Sequence, residues 1–217
     1  ATQESGEAER KFLAAAMVVA YAGRLGGYIL IDRVIGKTED ARYRRLRERW
    51  GASEPLRMFG YFQLQAAAVA VFSLPFLVVI QNPHKPFGFW ELAGFLVWIG
   101  AVSGEALADW QLARFRAKAS NRDRVCREGL WFYSRHPNYF FEWIQWWAFV
   151  VMAIGVPGWL LTWIAPVAMG WALVKVTGIP LAEQQALKSR GEDYRDYQQT
   201  TNVLVPWWPR VSKQKSE

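Results

Sequence analysis

Apolar and polar positions fall in long blocks along this chain. Five apolar runs stand out: Phe12 to Ile31, Phe59 to Ile80, Phe89 to Ala108, Tyr139 to Gly155 and Trp159 to Val176. Each is near the roughly 17–25 residues that carry a helix across a bilayer, the last two at the short end. In lipid a helix satisfies its own backbone hydrogen bonds, so the pattern predicts an all-α, multi-pass transmembrane helical bundle with at least five spans. Residues 1–217 read as a single integral membrane domain.

The stretches between the runs carry the charge. Arg33 to Arg57 holds eight Lys/Arg, Trp110 to Arg135 seven, and Lys175 to the end seven more. Gln81 to Gly88 holds only Lys85, and Val156 to Gly158 holds none. The positive-inside rule then places the three basic segments in the cytosol and the two short turns outside. The expected location is a bacterial inner membrane. The net charge of +7 accompanies 52% hydrophobic residues, so it reads as topology and attraction to membrane lipids, with no nucleic-acid partner implied.

Composition removes some chemistry. One cysteine, Cys126, excludes a disulfide framework and a CxxC metal site, and two histidines, His84 and His136, are too few for a His-rich metal centre; no metal is expected. His84 falls in an outside turn. Cys126 lies in a basic loop, where its pKa could be lowered. The first ten residues are polar and unlike a signal peptide. Tryptophans such as Trp146, Trp147, Trp159, Trp163, Trp207 and Trp208 suit interfacial belts.

Ionisable groups inside spans are costly and are functional candidates by default. Tyr21, Arg24 and Tyr28 share one face of the first span. Glu105 and Asp109 lie one turn apart at the end of the third, with Arg116 two turns on. Asn138, Glu142 and Gln145 form a stripe on the fourth. Helix-to-helix hydrogen bonding explains any one of these; three stripes near one membrane face suggest a polar pocket open to the cytosol. Arg24, Arg116, Arg124, Arg127 and Arg135 would rim it, and guanidinium groups bind phosphate. Carboxylates and an amide deeper in suit ribose hydroxyls or a carboxamide. GxGxxG and GxxxxGK[ST] are both absent, so a bound dinucleotide would not rest on a Rossmann fold.

"GLWFYSRHPNYFFEW", then "GIPLAEQQALKSRGEDYRDYQQTTNVLVPWWP", with "EDARYRRLRERWG" upstream, resembles the steroid 5α-reductase family, in particular its bacterial members. The resemblance spans roughly Ala20 to Pro209. It implies a multi-pass enzyme that uses NADPH to reduce a carbon–carbon double bond conjugated to a ketone, as in a 3-oxo-Δ4 steroid or a similar lipid-like enone from the bilayer. It implies that Tyr21 hydrogen-bonds the substrate ketone and that Tyr21 and Glu142 are catalytic. Cofactor contacts fall on Arg24, Tyr28, Glu105, Asp109, Arg116, Arg124, Asn138 and Glu142. They extend to Tyr133, Arg135, His136, Tyr139, Glu183, Arg190, Tyr194 and Tyr197. Glu105 stands where the family has an Asn, and Glu183 where animal members have a His. The resemblance also implies one or two further spans before Tyr21, one with a Glu or Gln that pairs with the tyrosine; this sequence begins after them.

Two rival readings remain. RHP with a late Glu also occurs in membrane methyltransferases of the isoprenylcysteine and phospholipid types, which use S-adenosylmethionine. A lipid-binding or scaffold protein would keep the fold without the chemistry.

Overall fold

A computed structural model describes residues 2–36, 41–82 and 87–210. Eight α-helices follow in order among them: α1 (Thr2–Ile29), α2 (Ala41–Trp50), α3 (Glu54–Ile80), α4 (Phe89–Ala117), α5 (Leu130–Tyr133), α6 (Pro137–Met152), α7 (Ile164–Trp171) and α8 (Ile179–Thr200). No strand occurs among the described residues, so the chain is an all-α bundle. His84 and Lys85 lie outside the described residues.

Among the described residues, four helical stretches contain a run long and apolar enough to cross a membrane, within Ala8–Ile29, Leu46–Ile80, Phe89–Ala117 and Trp159–Thr200. The expected fourth span is α6, with 16 residues. At 1.5 Å per residue it covers about 24 Å, short of a hydrocarbon core of roughly 30 Å. The expected fifth span is not one regular helix. A tight 3₁₀ turn, Trp159–Trp163, leads into α7, and a π turn, Ala172–Val176, follows it. Gly158 in a left-handed conformation precedes the first, and Gly178 and Pro180 stop the second.

The core sits where α1, α3, α4 and α6 meet. Met17, Val79, Trp98, Ala148, Phe149, Met152 and Ala153 form one buried cluster. Small residues bring α4 and α6 together: Ala101 and Ala108 on one side and Ala148 on the other are buried. A Cβ on Gly94 would collide with Met152 and the Ala148 carbonyl, and one on Gly104 with the Phe141 ring. Apolar helices in lipid gain little from burying greasy surface, so close backbone approach of this kind supplies the packing.

Two ion pairs fix α1 against α4, fourteen residues apart on both helices. Arg10 Nε meets Glu91 Oε1 at 2.7 Å, with relative side-chain exposures of 1% and 6%. Four turns on, Arg24 pairs with Glu105. Equal spacing in the same chain direction makes α1 and α4 parallel. At the first pair, the end of α3 joins in. Arg10 donates to the Asn82 carbonyl at 3.3 Å, and the Asn82 amide donates to Glu91 at 3.1 Å. Thus α3 runs antiparallel to both, and the second pair marks the opposite end of the bundle, where the candidate site lies.

Candidate functional site

The RHPN turn that opens α6 is fixed by its own short-range chemistry. Pro137 supplies a pre-set φ for the first helical residue. Ser134 Oγ accepts the His136 N–H at 3.1 Å and donates to the Leu204 carbonyl at 2.7 Å. Asn138 is thereby aimed at α4, where its amide donates to Asp109 Oδ1 at 3.2 Å. The other Asp109 oxygen faces Arg24 Nη1 at 3.4 Å. One polar chain, Glu105–Arg24–Asp109–Asn138, therefore links α1, α4 and α6. It joins the three stripes read from the sequence.

Tyr21 sits one turn before Arg24. Its hydroxyl lies beside the Gln145 amide, in the field of Glu105, Glu142 and Arg24. Glu142 makes no hydrogen bond or ion pair among the described residues. Glu105 Oε2, Gln145 Oε1 and the Trp146 indole nitrogen are buried with no hydrogen-bond partner. Buried polar atoms are normally satisfied, so these unmet groups single the cluster out as a candidate site.

Outward from this cluster, a cavity of about 910 Å³ opens between α4, the 124–139 segment and α8. That is near the top of the range for small-molecule sites, roughly 300–1,000 Å³. Of the expected cofactor contacts, Tyr28, Asp109, Arg116, Arg124, Arg135, His136, Asn138, Tyr139, Arg190, Tyr194 and Tyr197 line it. Tyr21, Arg24, Glu105, Glu142 and Glu183 do not line it; Arg24 and Glu105 join it through Asp109. Tyr133 is placed elsewhere, its ring against Phe132 and Trp208.

The arginines divide into two groups. Arg135 donates to Glu183 at 2.7 Å and to the carbonyls of Gln198 and Thr201 at 2.9 and 2.7 Å, so it ties α8 to the RHPN turn. Arg127 is held by Asp193 and Asp196, each at 2.8 Å. By contrast, Arg116 and Arg124 have no ion-pair partner among the described residues. Arg190 meets only the Arg124 carbonyl, at 2.9 Å, and Ser189. Three guanidinium groups thus face one cavity with no carboxylate of their own, which suits an anion with several charges.

The outer wall is α8. Its break at Gly191, with φ 49° and ψ −120°, is a left-handed conformation in which a Cβ would be strained. Beyond it, Asp193 accepts the Val125 N–H at 2.8 Å. The Tyr197 hydroxyl donates to the carbonyls of Trp131 and Ser134. The sequence reading left open a lowered pKa for Cys126, and the structure corrects it. The thiol is buried at the edge of the cavity, and burial pushes it up against the weaker pulls of the Glu128 backbone and Arg116.

Glu183 is the electrostatic hinge of the wall. Burial alone would raise its carboxyl. The hydrogen bonds from His136 and Arg135, the Arg135 charge and the Gln198 amide outweigh that and hold it down at about 2. An unfolded Glu titrates near ~4.3. With the folded value depressed, the carboxylate contributes its full stability above about pH 4.3 and loses it as pH falls towards 2. In thermal unfolding against pH, Glu183→Gln is expected to flatten that acid limb and to lower stability at neutral pH. An unchanged acid limb would show that Glu183 is not its source.

The sequence pattern gives no sign of the Arg10–Glu91–Asn82 knot, and Gln145 is not among the site residues expected from it. Gln145 had a visible signal, its i+7 spacing from Asn138. Arg10 had none, because it lies in a polar stretch and its partner is 81 residues away.

A family model described as "Protein of unknown function (DUF1295)" matches residues 1–201. No curated protein matches the chain. No solved structure matches it.

Proposed function

The chain belongs to that family, whose description names no activity, and from its own site we propose an NADPH-dependent membrane reductase acting on a carbon–carbon double bond conjugated to a ketone. The substrate class is a 3-oxo-Δ4 steroid or a similar lipid-like enone. The observation that carries this reading is a cavity lined by three arginines with no carboxylate partner and by Asp109 and Asn138, whose polar chain leads through Arg24 to the Tyr21 and Glu142 cluster.

The lining fits a phosphorylated dinucleotide. Arg116, Arg124 and Arg190 would hold its phosphates, and Asn138 and Asp109 the carboxamide or ribose hydroxyls. When bound, the cofactor would supply a hydride to the β-carbon of the enone. As that carbon is reduced, negative charge develops on the ketone oxygen. The Tyr21 O–H is the donor for that oxygen, in a site with little water to compete. Gln145 orients the Tyr21 hydroxyl. Glu142 supplies a protonatable group in the same cluster, a source for the proton the α-carbon takes up. The buried wall of Trp131, His136 and Tyr197 keeps bulk water from the inner end. The greasy substrate enters from the bilayer and the soluble cofactor from the basic, cytosolic face.

A methyltransferase reading draws on one specific contact: His136 Nε2 lies 3.3 Å from Glu183 Oε1, which unites the RHP turn with the late Glu. S-adenosylmethionine carries a sulfonium cation, however, and three guanidinium groups without carboxylate partners favour a polyanion. Thermal shift of the detergent-solubilised protein separates the readings. NADPH is expected to stabilise it more than NADH, and Arg116→Gln to remove most of the gain. Stabilisation by S-adenosylmethionine alone would overturn the reductase.

A further inference from the structure

The hairpin of α2 and α3 has geometry that the cavity does not use. A 3₁₀ turn, Gly51–Ser53, reverses the chain between them. Tyr43 then packs edge-on against Tyr61, with ring centroids 6.3 Å apart, and stacks on Phe62 at 6.1 Å. Tyr43 is seven residues before the end of α2 and Tyr61 seven after the start of α3. The two arms are therefore equal, and α2 lies antiparallel along the first ~10 Å of α3.

That fixes its depth. The 27 residues of α3 span about 40 Å, whereas a hydrocarbon core is roughly 30 Å thick. The apolar run starts at Phe59, so the excess lies at the N-terminal end, where α2 is docked. Helix α2 thus sits in the headgroup layer, at the same end of the bundle as the cavity.

Its charge is almost all of one sign. Tyr43, Leu46 and Trp50 share the face towards α3. Arg44 and Arg49 are exposed, as is Arg57 on α3, and none has an ion-pair partner among the described residues. Arg47 is taken by Glu54 at 3.6 Å, and Glu48 is the single carboxylate on α2. Beside Arg57, Leu56 and Phe59 expose 77% and 62% of their surface. Cations at phosphate depth next to bare apolar side chains match one amphiphile, with its charge and its acyl chain in that order.

We propose that the α2–α3 hairpin is a binding site for the phosphodiester headgroup of an anionic phospholipid, held by Arg44, Arg49 and Arg57. The site is independent of the reductase reading. The test titrates the full-length, detergent-solubilised chain with phosphatidylglycerol and with phosphatidylcholine, and reads retained lipid by native mass spectrometry. Each surface arginine contributes about 1 kcal/mol, a factor of about five. The triple variant Arg44→Gln, Arg49→Gln, Arg57→Gln is expected to lose phosphatidylglycerol affinity on the order of a hundredfold and to leave the weak phosphatidylcholine retention unchanged. Lys at the same three positions keeps the charge and is expected to keep most of the binding, which guards against simple misfolding. Glycerophosphoglycerol, the headgroup without acyl chains, is expected not to displace the lipid. Equal retention of both lipids, full retention in the Gln variant, loss in the Lys variant, or displacement by the soluble headgroup would each overturn the site.

Discussion

Replacing Tyr21 with Phe is expected to lower kcat for an enone substrate by roughly 10²–10³-fold and to leave NADPH binding unchanged. The change removes one hydroxyl. Deleting a single donor to a developing oxyanion costs about that much elsewhere. Among the described residues the other nearby phenols sit apart from the Tyr21 cluster: Tyr28, Tyr139, Tyr194 and Tyr197 line the cavity, and Tyr133 packs against Phe132 and Trp208. The Phe ring keeps the packing against the Met17–Trp98 cluster, so the fold is preserved. The measurement is steady-state NADPH oxidation with a 3-oxo-Δ4 steroid, beside a cofactor titration of the same variant. Loss of cofactor binding in parallel with kcat would mean that Tyr21 holds the bundle and not the substrate.

The largest effect on stability is expected at Arg10. Removing one member of a buried ion pair leaves the other charge unpaired in a poor solvent, at a cost of about 3–5 kcal/mol. Arg10→Ala strands Glu91, whose remaining partners are the Asn82 amide and the Gly88 N–H at 3.0 Å. Thermal unfolding in detergent should therefore fall sharply. Arg10→Met combined with Glu91→Leu removes both charges and is expected to recover most of the loss. A double variant as unstable as Arg10→Ala would show that the pair's hydrogen bonds to Asn82 and Gly88, more than its charge balance, hold the helix ends.

The start of α4 at Phe89 and the end of α3 at Ile80 were legible because both apolar runs end there in short polar turns. The start of α1 was not. Residues 2–11 are polar, yet Arg10 is buried against a partner supplied by α4, a tertiary contact with no local period. The irregular helix after Trp159 was equally hidden, since Pro166, Gly170 and Gly178 act only through the neighbours they meet; Gly170 lies against Trp143.

At the candidate site, the stripes were readable from i, i+4, i+7 spacing, and they do converge through Arg24, Asp109 and Asn138. What spacing could not give is which arginines are free. Arg127 and Arg135 looked like rim residues equal to Arg116 and Arg124. Their carboxylate partners come from α8, some fifty to seventy residues on, and consume their charge.

The central claim is hydride transfer to a carbon–carbon double bond, and isotope tracing tests it most directly. The purified protein would be incubated with NADPH deuterated at the transferable position and a 3-oxo-Δ4 steroid, with the product read by mass spectrometry. The account predicts a saturated ketone carrying deuterium at the β-carbon, with none formed by Tyr21→Phe. Unreduced steroid in the presence of bound NADPH, or a methylated product when S-adenosylmethionine is supplied instead, would contradict it.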